Sequence, residues 1–506
     1  MTARMISIGL KKTRLVMIGV LPIAMATRRF LARSQAVSAK AIFRIFVKNM
    51  DAPGRVACRP TPTKTCRTAV MPIYADTVTA KAGFDSHARC KRVLELMLAS
   101  RGDPLVEVDR ELADDPQFVW AHCLRAALIV RADQGGARSK LAASVTAIET
   151  ICSDIDSPAR RHASAARAWL EGDQNLAAEH YGAILIDRPR DIVALAVAHA
   201  LDFRLGQRRM LRDRVAQVMP EWDETVPGYA SVLAMYAFGL EENGQYRRAE
   251  ETARRALALD PRHPGAIHVI AHVMEMQGRD RDGLEFLAAT ESAWKDTTGI
   301  SVHLAWHRAL FHLDAGDPES ALAVYDAQIM NTREPDMSDL ADGSALLWRL
   351  ELLNFRVGER WQLLADRWQR QDLTATRPFY VAHAMMALAA AGRTRAVQRI
   401  FNTLPHMETS GVPSYSEDAL ALTLCKALLA FAHSDYAKCV ELLTRVRHIA
   451  HRCGGSLAQC DLIHLTFTEA AFRAQKANLA RALVAERTAQ KPASLLNWVL
   501  QQRLAG

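Results

Sequence analysis

The spacing of its turn residues constrains this chain more than any other feature. Gly172, Gly206, Gly244, Gly278 and Gly316 follow one another at intervals of 34, 38, 34 and 38 residues. Gly358, Gly392 and the Ser434-Asp435 pair continue the series at 42, 34 and 42. Each turn stands between two apolar runs with helical period, and Pro189 and Pro261 end the second run of their units. Regular turns at this period are the mark of stacked helix-turn-helix units. Two helix backbones approach closely only over small side chains, and Ala177, Ala249, Ala256, Ala271 and Ala309 stand where such crossings belong.

Numbering each unit so that its glycine is position 15 gives the tetratricopeptide pattern: small residues at 8, 20 and 27, a large one at 24 (Tyr181), and Pro at 32. The expected fold is all-α, a right-handed superhelix of helix pairs with a concave face, running from 79 to 506. The best repeats lie over 160–330 and the degenerate ones over 340–490. A first pair is expected around Gly135-Gly136, and the last helices near 456–474, 479–489 and Trp498. Eight or nine pairs are expected in all. Trp222 and Trp294 stand one short and one long unit apart, which suggests a duplicated two-repeat block. No stretch has the alternation of a strand between Gly-rich turns.

The net charge of +9 misleads. Residues 1–75 hold 14 Lys and Arg against one acid, Asp51, so the rest carries 50 basic and 54 acidic side chains. The body is therefore no nucleic-acid binder by charge. Its basic arm has Lys11-Lys12-Thr13-Arg14, an apolar run over 15–27 broken by Pro22, and Ala24-Met25-Ala26. That run is too short to span a bilayer. The arm reads as disordered, or as a start placed upstream of a true one near Met50 or Met71. The alternative is an export signal ending at 26. Nine cysteines without a CxxC pair fit a reducing compartment, hence a cytoplasmic protein.

The candidate chemistry lies within 228–329. Repeat numbering puts His268, His272, Glu275 and Met276 at positions 5, 9, 12 and 13, which face the groove. Phe238, Glu241 and Glu242 hold 9, 12 and 13 of the preceding unit, and His303, Trp306 and His307 hold 2, 5 and 6 of the next. His268 and His272 are one helical turn apart and can share a divalent ion. Glu275 lies about 10 Å along the axis from His268 and cannot join them. The third ligand would be His303 or His307, with Glu241 or Glu242 as a base or an outer acceptor. A polar groove without metal, or plain helix contacts, explain the same residues. His199 is expected to bond Asp202, and His383 to match His307. The chain contains no GxGxxG, Walker, HExxH or GxSxG motif.

At these residues the chain resembles the tetratricopeptide repeat protein 38 family. The resemblance runs from about residue 80 to the end. It rests on PGYASVLAMYAFGLEENGQY (227–246), AIHVIAHVMEMQGR (266–279), the HxxWH of 303–307, GGSLAQCD (454–461) and ARALVAERTAQKP (480–492). It implies a soluble helical-repeat protein and no established activity. Leu304, Ala382 and Cys460 depart from the family pattern, which has Asn, an acid and Arg there. The expected function is a scaffold whose groove binds a peptide or small ligand and needs no cofactor. Phe238 and Trp306 would give it affinity, and His268, His272, Glu241 and Glu275 selectivity. The competing expectation is a hydrolase or lyase using His268, His272, Glu275, His303 and His307, with a divalent metal. Homo-oligomers are compatible with either.

Overall fold

The computed structural model describes residues 84–331, 335–373, 377–404 and 417–505. The chain divides into two units, 1–68 and 69–506, and the described residues lie in the second. The arm assigned to 1–75 lies outside them.

All regular structure among the described residues is helical. The helices follow as α1 (Phe84–Ala99), α2 (Pro104–Asp114), α3 (Val119–Ala132), α4 (Arg138–Ile151), α5 (Pro158–Leu170) and α6 (Gln174–Asp187). Then come α7 (Ile192–Arg204), α8 (Arg208–Val218), α9 (Tyr229–Glu241), α10 (Tyr246–Leu259), α11 (Pro264–Met276) and α12 (Asp280–Ala289). After the short α13 (Glu291–Trp294) follow α14 (Ser301–Asp314), α15 (Pro318–Val324), α16 (Met337–Leu352) and α17 (Arg360–Trp368). The remainder are α18 (Pro378–Ala390), α19 (Thr394–Thr403), α20 (Glu417–Ala432), α21 (Tyr436–Val446), α22 (Leu457–Arg473), α23 (Ala477–Gln490) and α24 (Leu495–Ala505). None is long and apolar enough to cross a membrane.

Each expected turn joins two helices that pack on one another. Gly172, Gly206, Gly244, Gly278, Gly316, Gly358 and Gly392 all have positive φ, between 64° and 92°. An L side chain is strained there, so glycine marks the turn. Ser434 takes φ 62° in the same role. The next residue often caps the second helix: Asp173, Asp317 and Asp435 accept the amides of Leu176, Ser320 and Lys438.

The small residues do what their size permits. Ala177, Ala249, Ala256, Ala271 and Ala309 are fully buried. At Gly239 a Cβ would lie 2.4 Å from the Leu211 carbonyl oxygen and 2.6 Å from the Arg212 Cα. The backbones of α8 and α9 therefore meet directly, and only glycine fits between them.

The expected number of pairs needs correction. The hairpin α1–α2 precedes the first expected pair, so there are more pairs than eight or nine. The tryptophans of the supposed duplication are held differently. The Trp222 indole donates to the Pro189 carbonyl at 2.9 Å, 33 residues back, and that of Trp294 to Leu287 at 3.1 Å, only 7 back.

The C-terminal helices pack back on the middle of the chain. The Arg349 guanidinium donates to the Ala458 carbonyl at 2.8 Å, and the Trp348 indole to Thr466 Oγ1 at 3.0 Å. The Leu457 amide donates to Glu242 at 3.0 Å, and Lys491 Nζ to Glu275 at 3.1 Å. The face expected to be an open groove is thus covered by 456–461 and Lys491.

Candidate four-histidine centre

α11 and α14 each carry a histidine pair at i, i+4 spacing, which puts both rings of a pair on one side of the helix. The two pairs meet. Ring centroids of His268 and His272 are 4.3 Å apart, of His272 and His307 4.5 Å, of His303 and His307 4.7 Å, and of His268 and His303 4.9 Å. One ring nitrogen from each of the four lies within 4.8 Å of those of the other three. The sequence reading took His268 and His272 with His303 or, as the alternative, His307; the structure brings all four together.

Carboxylates stand behind three of the rings. His303 Nδ1 is 2.8 Å from Asp342, and His307 Nδ1 is 2.9 Å from Glu275. His272 Nδ1 is 3.3 Å from Glu241 but not aligned for a hydrogen bond. In front of them the Nε2 atoms of His268, His272 and His307 are buried and have no hydrogen-bond partner. Neither oxygen of Glu241 has one either. Glu242, with Arg208 at 3.3 Å and the Leu457 amide, completes a second group with Glu241 and His272.

The electrostatics follow from burial and neighbours. Burial drives His307 down to about 3 and His272 to about 4, and it lowers His268 far below the ordinary imidazole value. All three rings are therefore neutral, as a metal ligand must be. Burial acts on His303 too, but Asp342 outweighs it and holds His303 above the usual value. Burial pushes Glu241 and Glu242 up to about 8, with repulsion from Glu275 adding to it at Glu241 and repulsion from Glu241 at Glu242. Glu275 is buried as well, yet Lys491 and His307 hold it below the ordinary carboxyl range.

Apolar and aromatic groups complete the walls. Phe238 stacks on His268 at 5.8 Å, and Trp306 on His303 at 5.2 Å. Trp306, His272, His307, Glu241, Glu242, Glu275 and Met276 are all buried. They do not line an open groove as expected from repeat numbering, because α22 and Lys491 cover that face. His268, His303 and Phe238 keep some exposure, and His303 is 14 % accessible. That side is where the centre is open. As expected, Glu275 does not join His268; it holds His307.

Two other histidines lie elsewhere. His199 bonds the Met235 carbonyl at 3.1 Å, whereas the expected partner Asp202 is held by Arg214 at 2.7 Å. A guanidinium offers a buried carboxylate two donors where an imidazole offers one. His383 bonds Phe379 of its own helix at 2.7 Å and does not reach the four histidines as a fifth ring.

Sequence reasoning missed Asp342, Lys491 and the Leu457 amide. Asp342 sits 39 residues after His303, about one repeat on. Lys491 and Leu457 lie inside two of the stretches that carry the family resemblance. No protein-family model matches the chain.

Proposed function

We propose that this is a helical-repeat metalloprotein whose four histidines, His268, His272, His303 and His307, hold one divalent ion. The observation that carries the reading is the set of buried, unpartnered Nε2 atoms of His268, His272 and His307 facing one space. Burying an unpaired polar nitrogen costs about 1–3 kcal/mol, and three together need a common occupant. The carboxylates behind three of the rings support it, since a ligating imidazole ordinarily gives its other nitrogen to such an acceptor. Charge supports it too. Four acids, Glu241, Glu242, Glu275 and Asp342, stand around the rings, with Lys491 paired to Glu275 and Arg208 to Glu242.

An all-imidazole donor set suits Zn, Fe, Co, Ni or Cu and not the oxygen-seeking Mg or Ca. Such an ion supplies Lewis acidity and acidifies a bound water. The chain's residues hold and orient: Asp342 and Glu275 fix the tautomers of His303 and His307, and Phe238 and Trp306 keep water from the flanks. The open side at His268 and His303 suits a small molecule. Hydrolase or lyase chemistry is therefore favoured over a peptide-binding scaffold, whose groove would need Glu241, Glu242, Glu275 and Met276 accessible.

We also read the hairpins as tetratricopeptide-type repeats coiled into a right-handed superhelix. Positive-φ glycines at 34–38-residue spacing and buried crossing alanines support this. Membership of the tetratricopeptide repeat protein 38 family gains support from position: all five stretches behind the resemblance supply residues to the centre. Leu304 and Ala382, two of the departures, are buried and are not among its four rings.

The test is elemental analysis of untagged protein purified without chelator. About one equivalent of one of these metals is expected, lost in His268→Ala/His307→Ala with the fold retained by circular dichroism. Metal-free protein that also takes up none of the five on titration would overturn the reading.

A further inference from the structure

A second site lies away from the histidines, where the turn between α5 and α6 meets the start of α18 and the turn at 450–453. It is a polar pocket of about 410 Å³, lined among others by Glu171, Asp173, Asn175, Arg204, Arg377 and Arg452. That volume suits a small metabolite.

Three guanidinium groups converge on it from three separate parts of the chain. Arg204 is its fixed floor. It is 92 % buried, with both terminal nitrogens on the α3 carbonyls of Val130 and Arg131, and its Nε has no partner. Arg377 forms a wall, held by Asp133 at 2.8 Å and laid over the Tyr380 ring at 4.7 Å. Arg452 stands on the exposed rim. The helices α6 and α18 both begin at the pocket, and their N-terminal amides add positive potential. Of the two acids at the pocket, Asp173 is engaged in capping α6. Glu171 is exposed at the edge.

Packing keeps the cations together. A Cβ at Gly454, which has φ 94°, would lie 3.3 Å from the Arg204 carbonyl and 3.8 Å from an Arg377 terminal nitrogen. The 454–455 turn therefore seats against both. Burial lowers Arg204 to about 10; Arg377 and Arg131 add to this and Asp133 opposes it.

We propose that this pocket binds a small molecule through an oxyanion, either phosphate or carboxylate, gripped by Arg204, Arg377 and Arg452. Arginine forks match both groups in charge and geometry. The proposal does not depend on the metal reading.

Calorimetric titration of the full chain at fixed ionic strength, with inorganic phosphate in one arm and citrate in the other, tests it. Saturable binding of at least one anion is expected, and the tighter one names the source. Arg452→Gln and Arg377→Gln should each weaken it about tenfold or more, while Arg481→Gln on α23 leaves it unchanged. Arg452 is exposed, so its variant keeps the fold even if loss of the Arg377–Asp133 pair does not. Failure of both anions to saturate, or an Arg452→Gln protein that binds like the parent, would overturn the proposal.

Discussion

Lys491→Met probes the contact by which the end of α23 closes over the histidines. Lys491 Nζ lies 3.1 Å from Glu275, and the two side chains are 7 % and 3 % exposed. At an effective dielectric of about 20 the attraction is about 5 kcal/mol. Much of this offsets the desolvation of the two ions. The cost of removing one partner is better judged from the charge left behind. Methionine keeps the apolar stem but leaves Glu275 buried with His307 alone, and such a loss costs about 3–5 kcal/mol. Asp314 and Asp461 also face Lys491, so its removal takes a neighbouring cation from them as well. A destabilisation of about 3 kcal/mol is expected. In a unit of several hundred residues that moves Tm by only about 3 °C. Urea denaturation, with amide exchange read over 477–505, is the better assay. Faster exchange confined to the C-terminal helices should accompany the loss. The double variant Glu275→Gln/Lys491→Met should recover most of it, because Glu275 is no longer left as an unpaired charge. A single variant that loses less than about 1 kcal/mol would refute the reasoning, as would a double variant no more stable than the single one.

Burial lowers His383 to about 4, against the smaller upward pull of the Phe379 carbonyl. The neutral ring is the folded form, so its contribution is complete above about pH 6.5 and is lost as pH falls towards 4, by about 3 kcal/mol. His383→Gln should flatten that part of a stability–pH curve. Gly239→Ala places a methyl 2.4 Å from a backbone oxygen; α8 and α9 must part, and a loss of about 2 kcal/mol should appear in denaturation. Glu241 and Glu242 hold protons up to about pH 8, and a divalent ion would displace them. Affinity for Zn, measured by competition with a chelator, should therefore rise with pH to about 8 and then level, with a weaker rise in Glu241→Gln.

How much of this was legible in the sequence depends on which contacts are local. The turns were, because a positive φ selects glycine and the unit repeats. Much of the centre was legible for the same reason. His268 and His272 recur as His303 and His307 with both separations equal to 35 residues. A repeat carries each first helix into the place of the next, so a motif repeated at the repeat length becomes a spatial cluster. Position numbering hid this, because the unit ending at Gly316 is 38 residues long. The extra residues around α13 move the second pair to positions 2 and 6, one helical turn from 5 and 9. One turn is a displacement of about 5 Å along the axis, small enough for the four rings to converge.

What was not legible is the closure. Numbering by repeat assumes that each helix pair meets only its neighbours, which leaves the inward face open. The contacts that cover it, Leu457 to Glu242 and Lys491 to Glu275, span 215 and 216 residues. No local pattern announces such a pairing. Yet the two spans differ by a single residue, and their acceptors lie 33 apart, close to one repeat. The start of α22 and the end of α23 thus reach the ends of two successive first helices, α9 and α11. A repeat array that turns back on itself offers its own units as the best fit for its inner face. The polar residues that numbering assigned to a visiting peptide are met by the chain itself, and the imidazole nitrogens of His268, His272 and His307 are the polar atoms of that face still waiting for a partner.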